Sequence, residues 1–170
     1  MKSTVTDLLR QQNLKNFPKI NAGATIKEAL LAFKQHDSST VLIMQGQSLV
    51  GLFTEKDYAK ASLASEGCLS LDTKVADLMA RKIVYVTPEY QLDECLAVLN
   101  KLNIRALPVM KDKKPIALLS MRNIMWAQIQ NHEFTIDQLV RYVTNTHFQE
   151  PEEPPKAVVK TYSHEQTGSN

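Results

Sequence analysis

Glycine and cysteine are scarce in this chain, and the sequence signatures of several enzyme classes are missing. The five glycines among 170 residues form neither a Walker phosphate-binding loop nor a GxGxxG dinucleotide motif. The four histidines lack metal-ligand spacing, and no serine or cysteine nucleophile motif is present. We therefore expect a non-enzymatic protein with no metal site and no catalytic cofactor.

The two cysteines, Cys68 and Cys95, form neither a CxxC pair nor a disulfide framework. Cys95 falls on the apolar face of a predicted helix, where we expect a small buried side chain. No apolar run approaches the length that spans a bilayer, so no membrane partner is expected. The first residues, MKSTVTDLLRQQ, lack the apolar stretch of a signal peptide, which predicts a cytoplasmic protein.

Positive and negative charges nearly balance along the chain. Twenty Lys and Arg residues and eighteen Asp and Glu residues are interspersed, and the formal net charge is +2. This pattern lacks the clustered positive charge of a nucleic-acid-binding surface, so no nucleic-acid partner is expected. A small anionic ligand needs only a local cationic patch, and the net charge leaves that class of ligand open.

The most informative feature is an internal repeat. STVLIM at 39–44 aligns with RALPVM at 105–110, an offset of 66 residues. Further upstream, TVTDLL at 4–9 resembles KVADLM at 74–79 at an offset of 70, so the first half carries about four extra residues. A repeat of this length indicates two similar structural units.

Each half has the same predicted order of elements: a short helix, an extended segment, an amphipathic helix, two strands and a closing helix. The short helices and extended segments are predicted at Val5–Leu9, Phe17–Asn21, Val75–Met79 and Ile83–Thr87. The amphipathic helices place apolar residues at i, i+3, i+4 and i+7. These residues are Ile26, Ala29, Leu30 and Phe33 in the first half and Leu92, Cys95, Leu96 and Leu99 in the second. The closing helices are predicted to begin near Glu55 and Met121.

This order predicts a mixed α/β (α+β) fold of two pseudo-symmetric β-α-β-β-α repeats. Neither half is large enough to bury a good core alone, so we expect the repeats to pack through their sheets. We divide the chain into a first repeat at 1–66, a second repeat at 67–130, a C-terminal helix at 131–148 and a tail at 149–170. Three of the seven prolines fall in the polar tail, which we expect to be disordered.

The strand-to-helix junction of each half carries two polar side chains three residues apart. We call GLFTEKD at 51–57 the first junction and ALLSMRN at 117–123 the second junction. The spacing of Thr54 and Asp57 is also an ordinary helix-capping pattern. A helix N-terminus nevertheless suits a phosphate, because its N–H groups are unpaired and it carries partial positive charge. The recurrence in both repeats favours a ligand site, and the two roles are compatible.

With these features the chain resembles a tandem pair of cystathionine-β-synthase (CBS) domains, a Bateman module, over roughly residues 4–128. The family's junction motif is Gly, two apolar residues, Thr or Ser, two residues, then Asp. The first junction matches it fully, whereas the second has Ala117 and Asn123 at its two ends. The similarity is to a stand-alone bacterial or organellar subgroup with a short C-terminal helix.

The resemblance implies a regulatory module that binds AMP, ADP, ATP, NAD(H) or S-adenosylmethionine in two related clefts between the repeats. It also implies a homodimer, a regulated partner protein and a role as an energy sensor. The alternative is a ligand-free structural or interaction module, in which both junctions are only helix caps. The second junction's departures from the motif give that alternative some support.

The resemblance further implies a role for each junction residue. Asp57 would accept hydrogen bonds from both ribose hydroxyls, one at each oxygen, while Thr54 and the helix-start amides would bind the α-phosphate. Asn123 offers one neutral acceptor instead, which predicts a weaker second site or a different ligand. The full set of candidate nucleotide-binding residues is Thr54, Lys56, Asp57, Lys82, Ile83, Arg105, Ser120, Arg122 and Asn123.

The candidate cations have alternative interpretations. Lys56 and Arg105 are the nearest candidates for neutralising phosphate charge, although Arg105 is equally well interpreted as a solvated arginine at a strand end. Arg122 is expected either to reach the phosphate or to be exposed. The base is expected to bond to backbone near Ile83, with Lys82 at the rim.

Overall fold

The computed structural model describes residues 3–130. Its helices are α1 (Val5–Gln11), α2 (Ile26–His36), α3 (Glu55–Ala64), α4 (Leu92–Lys101) and α5 (Met121–Gln130), with a 3₁₀ turn at Val75–Asp77. Its strands are β1 (Lys19–Asn21), β2 (Thr40–Gln45), β3 (Ser48–Thr54), β4 (Ala106–Lys111) and β5 (Lys114–Ser120). The expected C-terminal helix and tail lie outside the described residues. The closing helices begin at the predicted positions.

The strands form two small sheets, which confirms the mixed α/β fold. In the first sheet β1 is parallel to β2, and β2 is antiparallel to β3. The second sheet is the antiparallel pair β4 and β5. The first repeat therefore has the complete predicted order of elements, although only the last three residues of the predicted segment 17–21 are in a strand.

The extended segment at 83–87 meets β4 through one parallel bridge instead of a strand. The Val86 N–H donates to the Pro108 carbonyl at 3.0 Å, and the Met110 N–H donates to the Val86 carbonyl at 2.8 Å. The adjacent rungs would need N–H donors at Pro88 and Pro108. Because proline has no N–H, the ladder ends on both sides of this bridge.

The two predicted short helices differ in length because only one of them is capped. Thr4 accepts a hydrogen bond from the Asp7 amide, and the Asp7 carboxylate accepts from the Thr4 amide at 2.9 Å. This capping box supports a helix two residues longer than the one predicted at Val5–Leu9. Lys74, at the equivalent position, makes no side-chain cap, and the predicted helix Val75–Met79 shortens to a 3₁₀ turn.

Each repeat buries the short helical segment that precedes the other. Val5 and Leu8 of α1 lie in a core cluster with second-repeat residues, and the Val5 N–H donates to the Tyr90 carbonyl at 2.9 Å. Val75 and Met79 lie in the core cluster of the first repeat. The repeats are therefore interlocked, and the extra residues of the first half lie where the chain crosses from one core to the other.

The sheets of the two repeats pack against each other, as predicted. A shared cluster of buried side chains joins them, consisting of Leu42, Leu49, Ile83, Ala106, Met110 and Leu118. Burying a side chain of this size contributes about 1.5–3 kcal/mol relative to leaving it exposed.

The predicted apolar faces of α2 and α4 are buried, with Leu30 only partly covered. Cys95 is fully buried, as expected, and burial raises the pKa of its thiol to about 12. A thiol with that pKa is almost entirely protonated near neutral pH, so Cys95 acts as a small core side chain.

Candidate functional site

The first junction is a complete capping box. The Thr54 hydroxyl donates to Asp57 Oδ2 at 2.6 Å, and the Thr54 amide donates to the same oxygen at 3.0 Å. In return the Asp57 amide donates to Thr54 Oγ1 at 3.2 Å. The only hydrogen of the Thr54 hydroxyl is therefore used by Asp57, and donating it to a phosphate would require the cap to open.

Asp57 keeps one oxygen available. Its side chain is half-buried, and Oδ1 accepts no hydrogen bond from the part of the chain that the structure describes. Oδ2 already accepts two hydrogen bonds from Thr54. The expected arrangement of one ribose hydroxyl per oxygen needs two available oxygens, whereas only Oδ1 is available while the cap is closed.

The second junction repeats the cap and adds a partner. The Ser120 backbone N–H donates to Asn123 Oδ1 at 3.0 Å, and the Asn123 backbone N–H donates to Ser120 Oγ at 3.3 Å. Asn123 Nδ2 then donates to Gln12 Oε1 at 3.0 Å, while Gln12 Nε2 donates to the Asn123 backbone carbonyl, also at 3.0 Å. Because the main-chain N–H of Ser120 requires an acceptor, the side-chain amide of Asn123 must point its oxygen toward Ser120. Sequence analysis missed Gln12, which lies 111 residues away in the chain.

A cavity of about 1200 Å³ opens beside the second junction and is lined by both repeats. Four of the nine candidate residues line it, namely Arg105, Ser120, Arg122 and Asn123. The other five, Thr54, Lys56, Asp57, Lys82 and Ile83, do not line it. From the first repeat, Phe17 and Pro18 contribute apolar surface, and Glu55 lines the cavity at the start of α3. We refer to this cavity as the cleft.

The cleft has a small excess of positive charge. Lys34, Arg105 and Arg122 are exposed cations on its lining, and Asp37 and Glu55 are its exposed acids. The N-terminus of α5 also opens into it and adds partial positive charge. The surroundings therefore favour an anionic group such as a phosphate.

Arg122 is not free in this arrangement. Its Nη1 lies 3.2 Å from Asp37 Oδ2, which places an ion pair between the repeats at the rim of the cleft. The two side chains are 76% and 89% exposed, so the pair contributes little to stability. An incoming phosphate can therefore replace Asp37 at small cost.

Thr40, at the start of β2, is a lining residue that sequence analysis missed. It is only 2% exposed, and its hydroxyl makes no hydrogen bond to the described part of the chain. A buried polar group without a partner costs about 1–3 kcal/mol. A ligand group that contacted this hydroxyl would remove that cost.

Ile83 and Gly51 both lie in the core and make packing contacts there. The side chain of Ile83 is 1% exposed between the two sheets, so only its backbone is available to a base. A Cβ at Gly51 would overlap the sulfur of Met79. The close approach that this glycine allows is therefore a core contact with Met79.

Known proteins match the chain along most of the described region. The family model described as CBS domain matches residues 4–64 and 75–129. The mitochondrial CBS domain-containing protein CBSX3 of Arabidopsis thaliana is 29% identical over 124 residues, covering 70% of this chain. The match spans 60% of the length of that relative, which is less than two thirds of it.

Solved structures match the fold. A putative signal-transduction protein with CBS domains from Burkholderia ambifaria has a TM-score of 0.70 and 27% identity, covering 79% of this chain and 99% of its own. CBSX2 in complex with AMP has a TM-score of 0.62 and 23% identity, covering 75% and 97%. The CBS domain pair of MJ0100, in complex with 5-methylthioadenosine and S-adenosyl-L-methionine, has a TM-score of 0.62 and 22% identity, covering 74% and 98%. At these last two identities the likeness concerns the fold.

Within residues 3–130, no helix is long and apolar enough to cross a membrane. The same residues contain no group of three or more His, Cys, Asp or Glu side chains that could hold a metal ion.

Proposed function

Because the chain belongs to the CBS-domain family, we propose that it is a regulatory module that binds an adenosine-containing nucleotide between its two repeats. The observation that carries this proposal is the cleft, where the N-terminus of α5 and the cations Arg105 and Arg122 meet an apolar wall. The structures of CBSX2 with AMP and of MJ0100 with S-adenosyl-L-methionine support the choice of ligand class. AMP, ADP, ATP, NAD(H) and S-adenosylmethionine are the ligands to be tested.

In the proposed complex the phosphate lies at the start of α5. The helix-start amides and Arg122 bind its oxygens, and Arg105 supplies further positive charge. The base lies against the apolar side of the cleft near Phe17 and Pro18. The first junction, whose Asp57 lies outside the cleft lining, would serve a second nucleotide, and there the free Oδ1 of Asp57 is the acceptor for the ribose.

The readout is proposed to be conformational. A ligand that contacts both repeats changes their packing only as far as it binds one arrangement more tightly than another. A homodimer and a regulated partner protein would transmit that change, and the module itself would catalyse nothing. Its proposed location is the cytoplasm.

A ligand-free interaction module is the second candidate, and one observation favours it. Both junction caps are complete without any ligand, and Gln12 already engages Asn123. If the junctions serve only to start α3 and α5, no nucleotide should stabilise the protein.

Thermal unfolding separates these two functions. We expect one or more of AMP, ADP, ATP, NAD, NADH and S-adenosylmethionine to raise the melting temperature. At a hundred times its dissociation constant a ligand adds about 2.7 kcal/mol, which corresponds to several degrees for a chain of this size. The variant Arg105→Ala should reduce the shift, whereas the matched control Lys27→Ala, outside the cleft lining, should not. No shift with any of the ligands would favour the interaction module.

A further inference from the structure

Asp57 and Asn123 present opposite chemistry at equivalent atoms. One oxygen of each side chain, Oδ2 of Asp57 and Oδ1 of Asn123, accepts the two hydrogen bonds of the cap. The other terminal atom of Asp57 is a charged acceptor that has no partner among the described residues. The other terminal atom of Asn123 is Nδ2, a donor, and it is already bonded to Gln12.

Gln12 therefore takes one of the two hydrogens of Asn123 Nδ2, the atom equivalent to the free oxygen of Asp57, and leaves a ribose hydroxyl only one neutral donor there. The two side-chain amides meet through one hydrogen bond, and Gln12 also donates to the Asn123 backbone carbonyl. Both side chains are half-buried. A sugar that displaced Gln12 to reach the second hydrogen would break both of these hydrogen bonds and would gain only a neutral donor, not a charged acceptor.

We propose that Gln12 and Asn123 make the cleft insensitive to the ribose diol, so that it accepts adenine nucleotides with a deoxygenated sugar as readily as AMP. This inference rests on the proposed function and names the ligand class at the second junction. Affinity there comes from the phosphate and the base. In this chain Gln12 is a specificity-determining residue.

The repeat supplies an independent argument. Gln12 follows Leu9 by three residues, just as Lys82 follows Met79, and the two segments align at the offset of 70. Across the two repeats, Gln12 of the first half meets Asn123 of the second junction. By the same alignment Lys82 of the second half is the counterpart of Gln12, and the first junction carries Asp57. An aspartate at 123 would bring a carboxylate against the carbonyl oxygen of Gln12, so an amide at one position favours an amide at the other.

The test measures a ratio of affinities in the full chain. Asp57→Ala removes the diol acceptor of the first junction and leaves the cleft as the site to be measured. Dissociation constants for AMP and for 2′,3′-dideoxy-AMP are then determined by calorimetry. We expect them to agree within about threefold, because neutral contacts to the missing hydroxyls are weak.

A gain of discrimination is expected when the amide pair is removed. Adding Gln12→Ala and Asn123→Asp to Asp57→Ala recreates a carboxylate with one free oxygen beside the cleft. This triple variant should prefer AMP by about tenfold or more, since a charged acceptor strengthens the hydrogen bond. Gln35→Ala, an exposed glutamine outside the cleft lining, is the matched control and should leave the ratio unchanged.

The outcomes distinguish this inference from the proposed function. A preference for AMP of tenfold or more in Asp57→Ala, or no gain in the triple variant, would overturn the inference while nucleotide binding stands. Binding to the unaltered protein that disappears in Asp57→Ala would also overturn it, because the ligand would then belong to the first junction. No binding of AMP to the unaltered protein would overturn this inference, and the proposed function would fall with it only if ADP, ATP, NAD(H) and S-adenosylmethionine also failed to bind. Loosened folding lowers both affinities together and leaves their ratio unchanged.

Discussion

Arg122 reaches from the start of α5 to Asp37 at the end of α2, so that one ion pair connects the two repeats at the rim of the cleft. The residue expected to bind phosphate is thus held by an acid of the same protein. An anionic ligand has to compete with Asp37 for the guanidinium.

Replacing Asp37 by Asn should tighten the binding of an anionic nucleotide. Asp37 has a φ of 46°, and asparagine tolerates that left-handed conformation, so the end of α2 should be preserved. An exposed pair is worth about 0.2–1 kcal/mol, which corresponds to a gain of up to about fivefold. Calorimetric titration with AMP at low and high salt measures it, and the gain should shrink as salt increases.

The control for this change is Asp112→Asn. Asp112 is also exposed with a φ of 49°, but it lies in the β4–β5 turn and does not line the cleft. Equal effects of the two substitutions would show that overall charge, and not the contact with Arg122, controls the affinity.

Thr40→Val should stabilise the ligand-free protein and weaken nucleotide binding. The Thr40 hydroxyl is buried without a protein partner in the described residues, and valine has nearly the same shape. Removing the hydroxyl should raise the free energy of unfolding by about 1 kcal/mol, as measured by urea titration. Thr6→Val is the contrasting control, because the Thr6 hydroxyl donates to the Pro88 carbonyl at 2.8 Å, and it should destabilise. A loss of stability in Thr40→Val would mean that the Thr40 hydroxyl makes a hydrogen bond in the folded protein in solution.

The sequence predicted the parts of this protein that depend on neighbouring residues. The starts of α3 and α5 follow from capping pairs three residues apart, and the predicted face of α4 follows from helical spacing. The ending of the ladder at Pro88 and Pro108 has a local cause too, because neither proline has an N–H to donate. Local chemistry fixed these features without reference to the rest of the chain.

The contacts that decide the candidate site could not be predicted in the same way. Gln12 meets Asn123 across 111 residues, and Arg122 meets Asp37 across 85. Both contacts depend on the exchange of the short helical segments and on the packing of the repeats. A repeat alignment compares equivalent positions within each half, so it does not reveal contacts between non-equivalent ones.

Gly51→Ala should destabilise the protein through Met79 and not through loss of a ligand. A methyl group at Gly51 would overlap the Met79 side chain, and overpacking of this kind costs about 1–3 kcal/mol. Met79→Ala in the same protein should recover part of the loss, because it vacates the space. Urea titration of both single variants and the double variant measures this coupling. If the losses of stability in the two single variants simply add in the double variant, the contact between position 51 and Met79 is contradicted. Ala117→Ser, at the equivalent buried position of the second repeat, provides a comparison without Met79.

Acid should remove a contribution that the capping box of α2 makes to stability. The Thr25 amide donates to Glu28 Oε2 at 2.7 Å, and this backbone hydrogen bond, with the Thr25 hydroxyl, lowers the pKa of Glu28 below its ordinary 4.5. A carboxyl group whose pKa is lowered by folding stabilises the folded state above its unfolded pKa. That stability is lost as the pH falls below 4.5 and through the lowered pKa.

Glu28→Gln keeps an acceptor for the cap but cannot titrate. The difference in free energy of unfolding between the unaltered protein and this variant should therefore be largest near neutral pH and should decline below pH 4.5. Urea titrations across that range measure the difference, with Glu66→Gln, in the loop after α3, as the control. A difference that stayed constant down to strong acid would show that the charge of Glu28 plays no part in starting the helix.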